Sequence, residues 1–226
     1  MRGALKRRFV CLFAGVAVLL GGIWAVPVRA LAAPAGSTCS NAYLNSDSRL
    51  GPAQLPTGGS LYPMVATYQP LAGLTASQFL ATYWNPAANG GMGGWNYPPD
   101  NGYLLNAKGQ PIEYVLRLGV GQRIDRFGSP FGAFLAPMEM PYQSRALPPM
   151  SLDNFDPAFT CNYHLYQVRK SFKVESGPIA PGFGQPGLGR QYQLENSLVP
   201  GSPGSLNVNW LLNNGYLTTL PIPADQ

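Results

Sequence analysis

Apolar positions repeat with a helical period at one place in the chain. Ala76, Phe79, Leu80 and Tyr83 fall at i, i+3, i+4 and i+7, one stripe of a 3.6-residue helix. Thr75 and Gln78 stand just ahead of it at the spacing of a capping box, in which each side chain satisfies a free backbone N–H of the first turn. The stripe predicts core packing and carries no chemistry of its own. A second, shorter helix is predicted over 206–213, capped by Ser205 and stopped by Asn214-Gly215. From Trp95 onward the pattern changes to short extended runs bounded by Gly or Pro, at 112–118, 131–136, 165–174 and 191–194. Within the third run Leu165, Gln167 and Arg169 alternate with Tyr166, Val168 and Lys170, which predicts a half-exposed antiparallel strand. No internal repeat or heptad is visible. The expected fold class is therefore α+β with β predominating.

The first 33 residues stand apart. Arg2, Lys6, Arg7 and Arg8 precede an apolar stretch from Phe9 to about Val26, and small-residue sites follow at Ala30-Leu31-Ala32 and Ala33. These are the three parts of a secretory signal peptide. The apolar stretch is also long enough for a marginal membrane anchor, but Pro27 breaks it and the cleavage site follows at once. The expected organisation is a signal peptide over 1–33, a small N-terminal section with one helix over 34–94 and a second domain over 95–226. The protein is thus expected to be secreted, with no membrane association after cleavage.

Removing the leader changes the charge and the cysteine count. The net charge of +5 falls to zero, ten Lys and Arg against ten Asp and Glu, so nothing remains to suggest a nucleic-acid partner. Cys11 leaves with the leader, and Cys39 and Cys161 remain as an even pair in an oxidising compartment. A disulfide between them is expected. It closes a loop of about 122 residues, worth roughly 4–5 kcal/mol as an upper value on the chain-entropy model. Two buried thiols are the alternative. The 27 Gly and 23 Pro make the chain loop-rich, while 46% hydrophobic residues are enough for a core.

Most familiar active sites can be set aside. One His and two paired cysteines do not make a zinc site, and no metal is expected. No Gly-x-Ser-x-Gly elbow occurs, and the Gly184, Gly187 and Gly189 series lacks dinucleotide-fingerprint spacing. The glycine-rich run 89–94 reads as a flexible connection, since no Lys-Ser/Thr follows it. Asp125 and Glu139 are the carboxylates that suggest a glycosidase pair, in a chain with few acids.

Five separated stretches take the reading further: Ile124-Asp125-Arg126-Phe127-Gly128-Ser129, Gly132-Ala133-Phe134-Leu135-Ala136-Pro137, Arg145-Ala146-Leu147-Pro148-Pro149, Tyr163-His164-Leu165-Tyr166, and 180–187 with Gly182-Phe183-Gly184-Gln185 inside it. In this order they resemble the tuberculosis necrotizing toxin family over about residues 95–220. Asp47-Ser48-Arg49-Leu50-Gly51-Pro52 and Gly94-Trp95-Asn96-Tyr97-Pro98-Pro99 are similar to the secreted fungal-type NADases that carry this domain. The resemblance implies a compact antiparallel-sheet domain that hydrolyses the nicotinamide–ribose bond of NAD+, with NAD+ as substrate and no cofactor. It leaves homodimerisation open.

It further implies Gln185 at the reacting ribose and Arg126 on the pyrophosphate, as catalytic residues. Phe127, Phe134 and His164 are implied as substrate-binding residues. The plainer alternatives are a turn residue for Gln185, a salt bridge to Asp125 or Glu139 for Arg126, core packing for the two phenylalanines and a structural role for His164. Two departures stand out. Relatives read Trp where this chain has Gly182, and their C-terminal acidic pair for calcium is reduced here to Asp225, so no such calcium site is expected. ADP-ribosyl transfer, or a catalytically inactive binding module, are the alternative functions.

Overall fold

The structure, a computed structural model, describes residues 36–222. The predicted signal peptide with Cys11, and Asp225, lie outside them. Seven antiparallel strands form the central sheet: β3 (Tyr114–Leu118), β4 (Arg123–Phe127), β5 (Phe134–Pro137), β6 (Tyr163–Val168), β7 (Phe172–Pro178), β8 (Arg190–Gln193) and β9 (Leu217–Leu220), in the order β3-β7-β8-β5-β4-β6-β9. A two-stranded ladder, β1 (Trp84–Asn85) with β2 (Gly94–Trp95), and the short helices α1 (Tyr62–Val65), α2 (Ala76–Tyr83), α3 (Ala88–Gly91) and α4 (Val208–Asn213) complete the main elements. The fold is α+β with β predominating.

α2 starts as its sequence requires. The Thr75 side chain accepts from Gln78 N, and Gln78 Oε1 accepts from Thr75 N at 2.9 Å. Phe79 is its buried anchor. The glycine-rich run 89–94 is the tip of the β1–β2 hairpin, with α3 inside it.

Three expectations need correction. The run 165–174 is two strands, β6 and β7, joined by a turn at 169–171 that contains neither Gly nor Pro and so carries no signal. β6 is not half-exposed. Residues of both parities are buried, because it lies between β4 and β9 with its two faces covered by different clusters. The last helix begins at Val208 rather than 206, because Asn207, not Ser205, takes the extended cap conformation and accepts from Trp210 N at 2.9 Å.

Residues directly opposite in an antiparallel pair share a face. One face carries Ile124, Leu135, Tyr166, Val168 and Tyr192, which pack with Val208 and Leu211 of α4. The other carries Phe127, Tyr163 and Leu165, which pack with Leu61, Met64, Val65 and Tyr68 of the N-terminal section. Cys39 and Cys161 form a disulfide within this second cluster. Asn154 reinforces the link, accepting from Cys161 N at 2.6 Å and donating to the Cys39 carbonyl at 2.8 Å.

Candidate active site

β4 and β5 pair only through Ile124 with Pro137 and Asp125 with Ala136, and then part. Arg126 reaches across this opening. Its Nε donates to the Ser129 carbonyl at 2.7 Å and its Nη1 to the Phe134 carbonyl at 2.6 Å. The loop between the strands wraps the guanidinium so closely that a Cβ at Gly132 would collide with it. Burial pulls the Arg126 pKa down, as expected where a cation is taken from water. Among the described residues no carboxylate lies within ion-pair distance of it. The expected alternative of a salt bridge to Asp125 or Glu139 therefore does not occur.

Asp125 is committed elsewhere. Its carboxylate, fully buried, receives Arg145 through two hydrogen bonds of 2.6 and 2.9 Å, the Glu139 backbone N–H at 2.9 Å and the Tyr163 hydroxyl at 3.0 Å. Asp125 and Glu139 thus form no glycosidase pair, since Asp125 is saturated and inaccessible. Arg145 also lies over the Phe127 ring at 4.9 Å. Phe127 packs against Tyr142 and Tyr163 as well, at 5.0 and 4.9 Å, and is a core residue. Phe134, by contrast, is 36% exposed. Arg126, Phe127 and Phe134 line one cavity of about 40 Å³ with Arg145, Leu147 and Gln191. That is room for about one water, so a dinucleotide lies across the opening rather than inside this cavity. Gln185 and His164 do not line it.

Gln185 is held by a separate device in the connection between β7 and β8. Gly182 and Gln185 exchange backbone hydrogen bonds of 3.2 and 2.8 Å around Phe183 and Gly184, whose φ angles of 53° and 69° are those of a type I′ turn. A Cβ at Gly184 would collide with Ala72. Phe183 tolerates its left-handed backbone because its ring is locked among Tyr83, Trp95 and Tyr97, at 5.5, 5.6 and 5.3 Å. The side chain of Gln185 is itself 5% exposed and donates through Nε2 to the Gln69 carbonyl at 2.9 Å. That bond fixes the amide with Oε1 as its remaining acceptor.

His164 stands opposite Arg126 on β6 and is 5% exposed. Its ring lies 4.1 Å from that of Phe159, with Nε2 3.3 Å from Asn162 Oδ1. Burial, aided by the Arg126 charge, lowers its pKa to about 4, so it is neutral at pH 7. Asp153 is the converse case. Its carboxyl is buried without a hydrogen-bond partner, and burial raises its pKa to about 7.

The two groups act on stability with opposite signs. Between pH 4 and 6.5 the unfolded chain takes up a proton at His164 that the folded protein refuses, so stability rises with pH. Between pH 4 and 7 the folded protein keeps a proton at Asp153 that the unfolded chain loses, so stability falls with pH. Each effect is on the order of a few kcal/mol. The expected result is a nearly flat profile over this window in the unsubstituted protein. Asp153→Asn unmasks a rise with pH and His164→Phe unmasks a fall, as measured by denaturant melts at each pH. Parallel profiles for all three proteins would contradict both assignments.

Comparison with known proteins follows the same lines. The family model described as tuberculosis necrotizing toxin matches residues 117–220. The conidial surface nicotinamide adenine dinucleotide glycohydrolase of Aspergillus fumigatus is 42% identical over 187 residues, covering 82% of this chain and 75% of that protein. Among solved structures, that of tuberculosis necrotizing toxin complexed with its immunity factor aligns at 22% identity and a TM-score of 0.48, over 78% of this chain and 79% of that one. Rhs1-CT in complex with its cognate immunity protein aligns at 15% identity and a TM-score of 0.32, over 52% and 84%.

Proposed function

This chain belongs to the tuberculosis necrotizing toxin family, and we propose from that premise that it is an NAD+ glycohydrolase, cleaving the nicotinamide–ribose bond to give nicotinamide and ADP-ribose. The observation that carries the reading of the site is Arg126. A half-buried guanidinium, braced by two carbonyls and lacking a carboxylate, is a seat for an external anion. The pyrophosphate of NAD+ supplies one.

The chemistry asks little of the remaining side chains. Nicotinamide leaves a cationic ring as a neutral molecule, so the departing nitrogen needs no proton. The C–N electron pair goes with it, positive charge develops on the ribose, water adds at C1′, and one proton passes to solvent. Gln185 supports that charge by holding the ribose 2′-hydroxyl at its free Oε1, in a fixed orientation set by Gln69. Phe134 offers an open apolar surface beside Arg126, whereas Phe127 supports the site from within the core. His164, neutral and enclosed, acts by packing beneath Arg126. NAD+ is the substrate and no resident cofactor takes part. The disulfide and the surface location named for the fungal relative support an extracellular site of action.

Incubation of the protein with NAD+ should release nicotinamide and ADP-ribose in equal amounts. Label appearing on an added acceptor in place of free ADP-ribose would assign the chemistry to transfer. No release at all would leave a binding module. Arg126→Ala should raise KM about 10- to 100-fold with a smaller loss of kcat, the scale of a lost hydrogen bond to a charged group. Arg126→Lys should recover part of it, having the charge without the fork. An unchanged KM in folded Arg126→Ala would remove Arg126 from the substrate site.

A further inference from the structure

The segment after β2 supplies an aromatic side chain that the roles above leave unused. Tyr97 precedes Pro98, and a residue before proline is confined to extended backbone. Pro98 is seated against the Gln185 turn: its Cγ lies 3.0 Å from the point where a Cβ on Gly182 would stand. The Tyr97 ring meets that of Phe183 nearly at right angles, 5.3 Å away. Burial raises the pKa of its phenol while the Arg126 charge lowers it, which puts the hydroxyl within electrostatic reach of the guanidinium. Even so, 56% of the residue is open to solvent. An exposed ring is thus fixed at the turn that carries Gln185, on a side that the Arg126 charge reaches.

We propose that Tyr97 is a specificity residue whose open ring receives the positively charged nicotinamide ring of NAD+ by a cation–π contact. The inference rests on the glycohydrolase reading, in which Gln185 fixes the ribose that bears this ring. A phenol face attracts a cation. The nicotinamide ring is cationic in NAD+ and neutral in NADH, so the contact selects the oxidised dinucleotide. It also vanishes as the glycosidic bond breaks, because the ring then becomes neutral. Tyr97 therefore strengthens ground-state binding and leaves the chemical step unassisted. Gly182 belongs to the same device, since its bare backbone lets Pro98 sit close enough to hold Tyr97 over the turn.

The test compares KM for NAD+ with the inhibition constant of NADH in the unsubstituted protein, Tyr97→Leu, Tyr97→Phe and Gly182→Ala, each first shown folded by its thermal transition. Tyr97→Leu should lower the preference for NAD+ over NADH by about 2- to 30-fold, the range of a cation–π contact at ~1.4 kcal/mol per factor of ten. Its kcat should stay within about twofold. Tyr97→Phe keeps the ring and should keep the preference, and Gly182→Ala, which displaces Pro98, should lower it partway. Equal weakening of NAD+ and NADH would place the ring against the adenine or give it only a shape role, and either overturns the proposal. A loss of kcat with an unchanged preference overturns it as well. If the unsubstituted protein releases no nicotinamide, the glycohydrolase reading has failed instead, and the calorimetric Kd values of NAD+ and NADH in the same variants then decide for or against Tyr97.

Discussion

Gln185→Ala is expected to lower kcat by roughly 10²–10³ while changing KM far less, the size of effect seen when one preorganised polar group is taken from a reacting centre. The expectation depends on the turn surviving, and its construction says that it does. Gly182 and Gln185 pair through their backbones, Gly184 fills the tight position and Phe183 is wedged among three aromatic rings, none of which uses the Gln185 amide. The side chain gives up one hydrogen bond to Gln69, worth about 1 kcal/mol. A protein of this size then loses only about 2–4 °C in Tm. Initial rates of nicotinamide release over a range of NAD+ concentrations, with a thermal melt of the same sample, measure both quantities. A folded variant with kcat within threefold of the parent would remove Gln185 from the reacting centre.

The largest stability effect is expected at a residue with no role in the chemistry. Arg145→Met should destabilise the protein by about 3–5 kcal/mol, because it leaves the Asp125 carboxylate buried without its counter-ion. The Glu139 N–H and the Tyr163 hydroxyl still reach that carboxylate but cannot neutralise it. Two hydrogen bonds to the Met140 carbonyl and the contact over Phe127 disappear with the same side chain. Denaturant titration should show the midpoint falling with little change in slope. A loss below about 1 kcal/mol would mean that solvent reaches Asp125 in the folded protein.

The two arginines show what the sequence discloses and where it stops. Arg126 and Arg145 both sit in stretches that resemble the family, and nothing local separates an anion seat from a structural ion pair. The distinction lies in the partner. Asp125 adjoins Arg126 in sequence, yet strand alternation sends their side chains to opposite faces. Arg145, twenty residues on, is the one that returns to Asp125. β4 escapes a hydrophobic-pattern search for the same reason, since its buried aspartate reads as a surface residue. Signals contained within a few residues survive intact: the Thr75–Gln78 box places α2, and the Gly-Phe-Gly-Gln turn carries its positive backbone angles in its own glycine. Phe127 and Phe134, alike in sequence, divide into core and surface only once β4 and β5 part. Tyr97 had a faint signal in an aromatic side chain set before two prolines, but its position over the Gln185 turn depends on a contact with Gly182, 84 residues later in the chain.

The strand order has a consequence in time as well as in space. Arg126 is carried by β4 and Gln185 by the connection between β7 and β8, and the sheet links these through β5, whose partner β8 is more than fifty residues away in sequence. Such pairings have high contact order and form late, after the entropy of closing long loops has been met. The local β6–β7 turn and α2 can form early without creating any part of the site. Nicotinamide release during refolding should therefore lag behind the recovery of secondary structure. A newly made chain then remains harmless to NAD+ until its most distant segments have met.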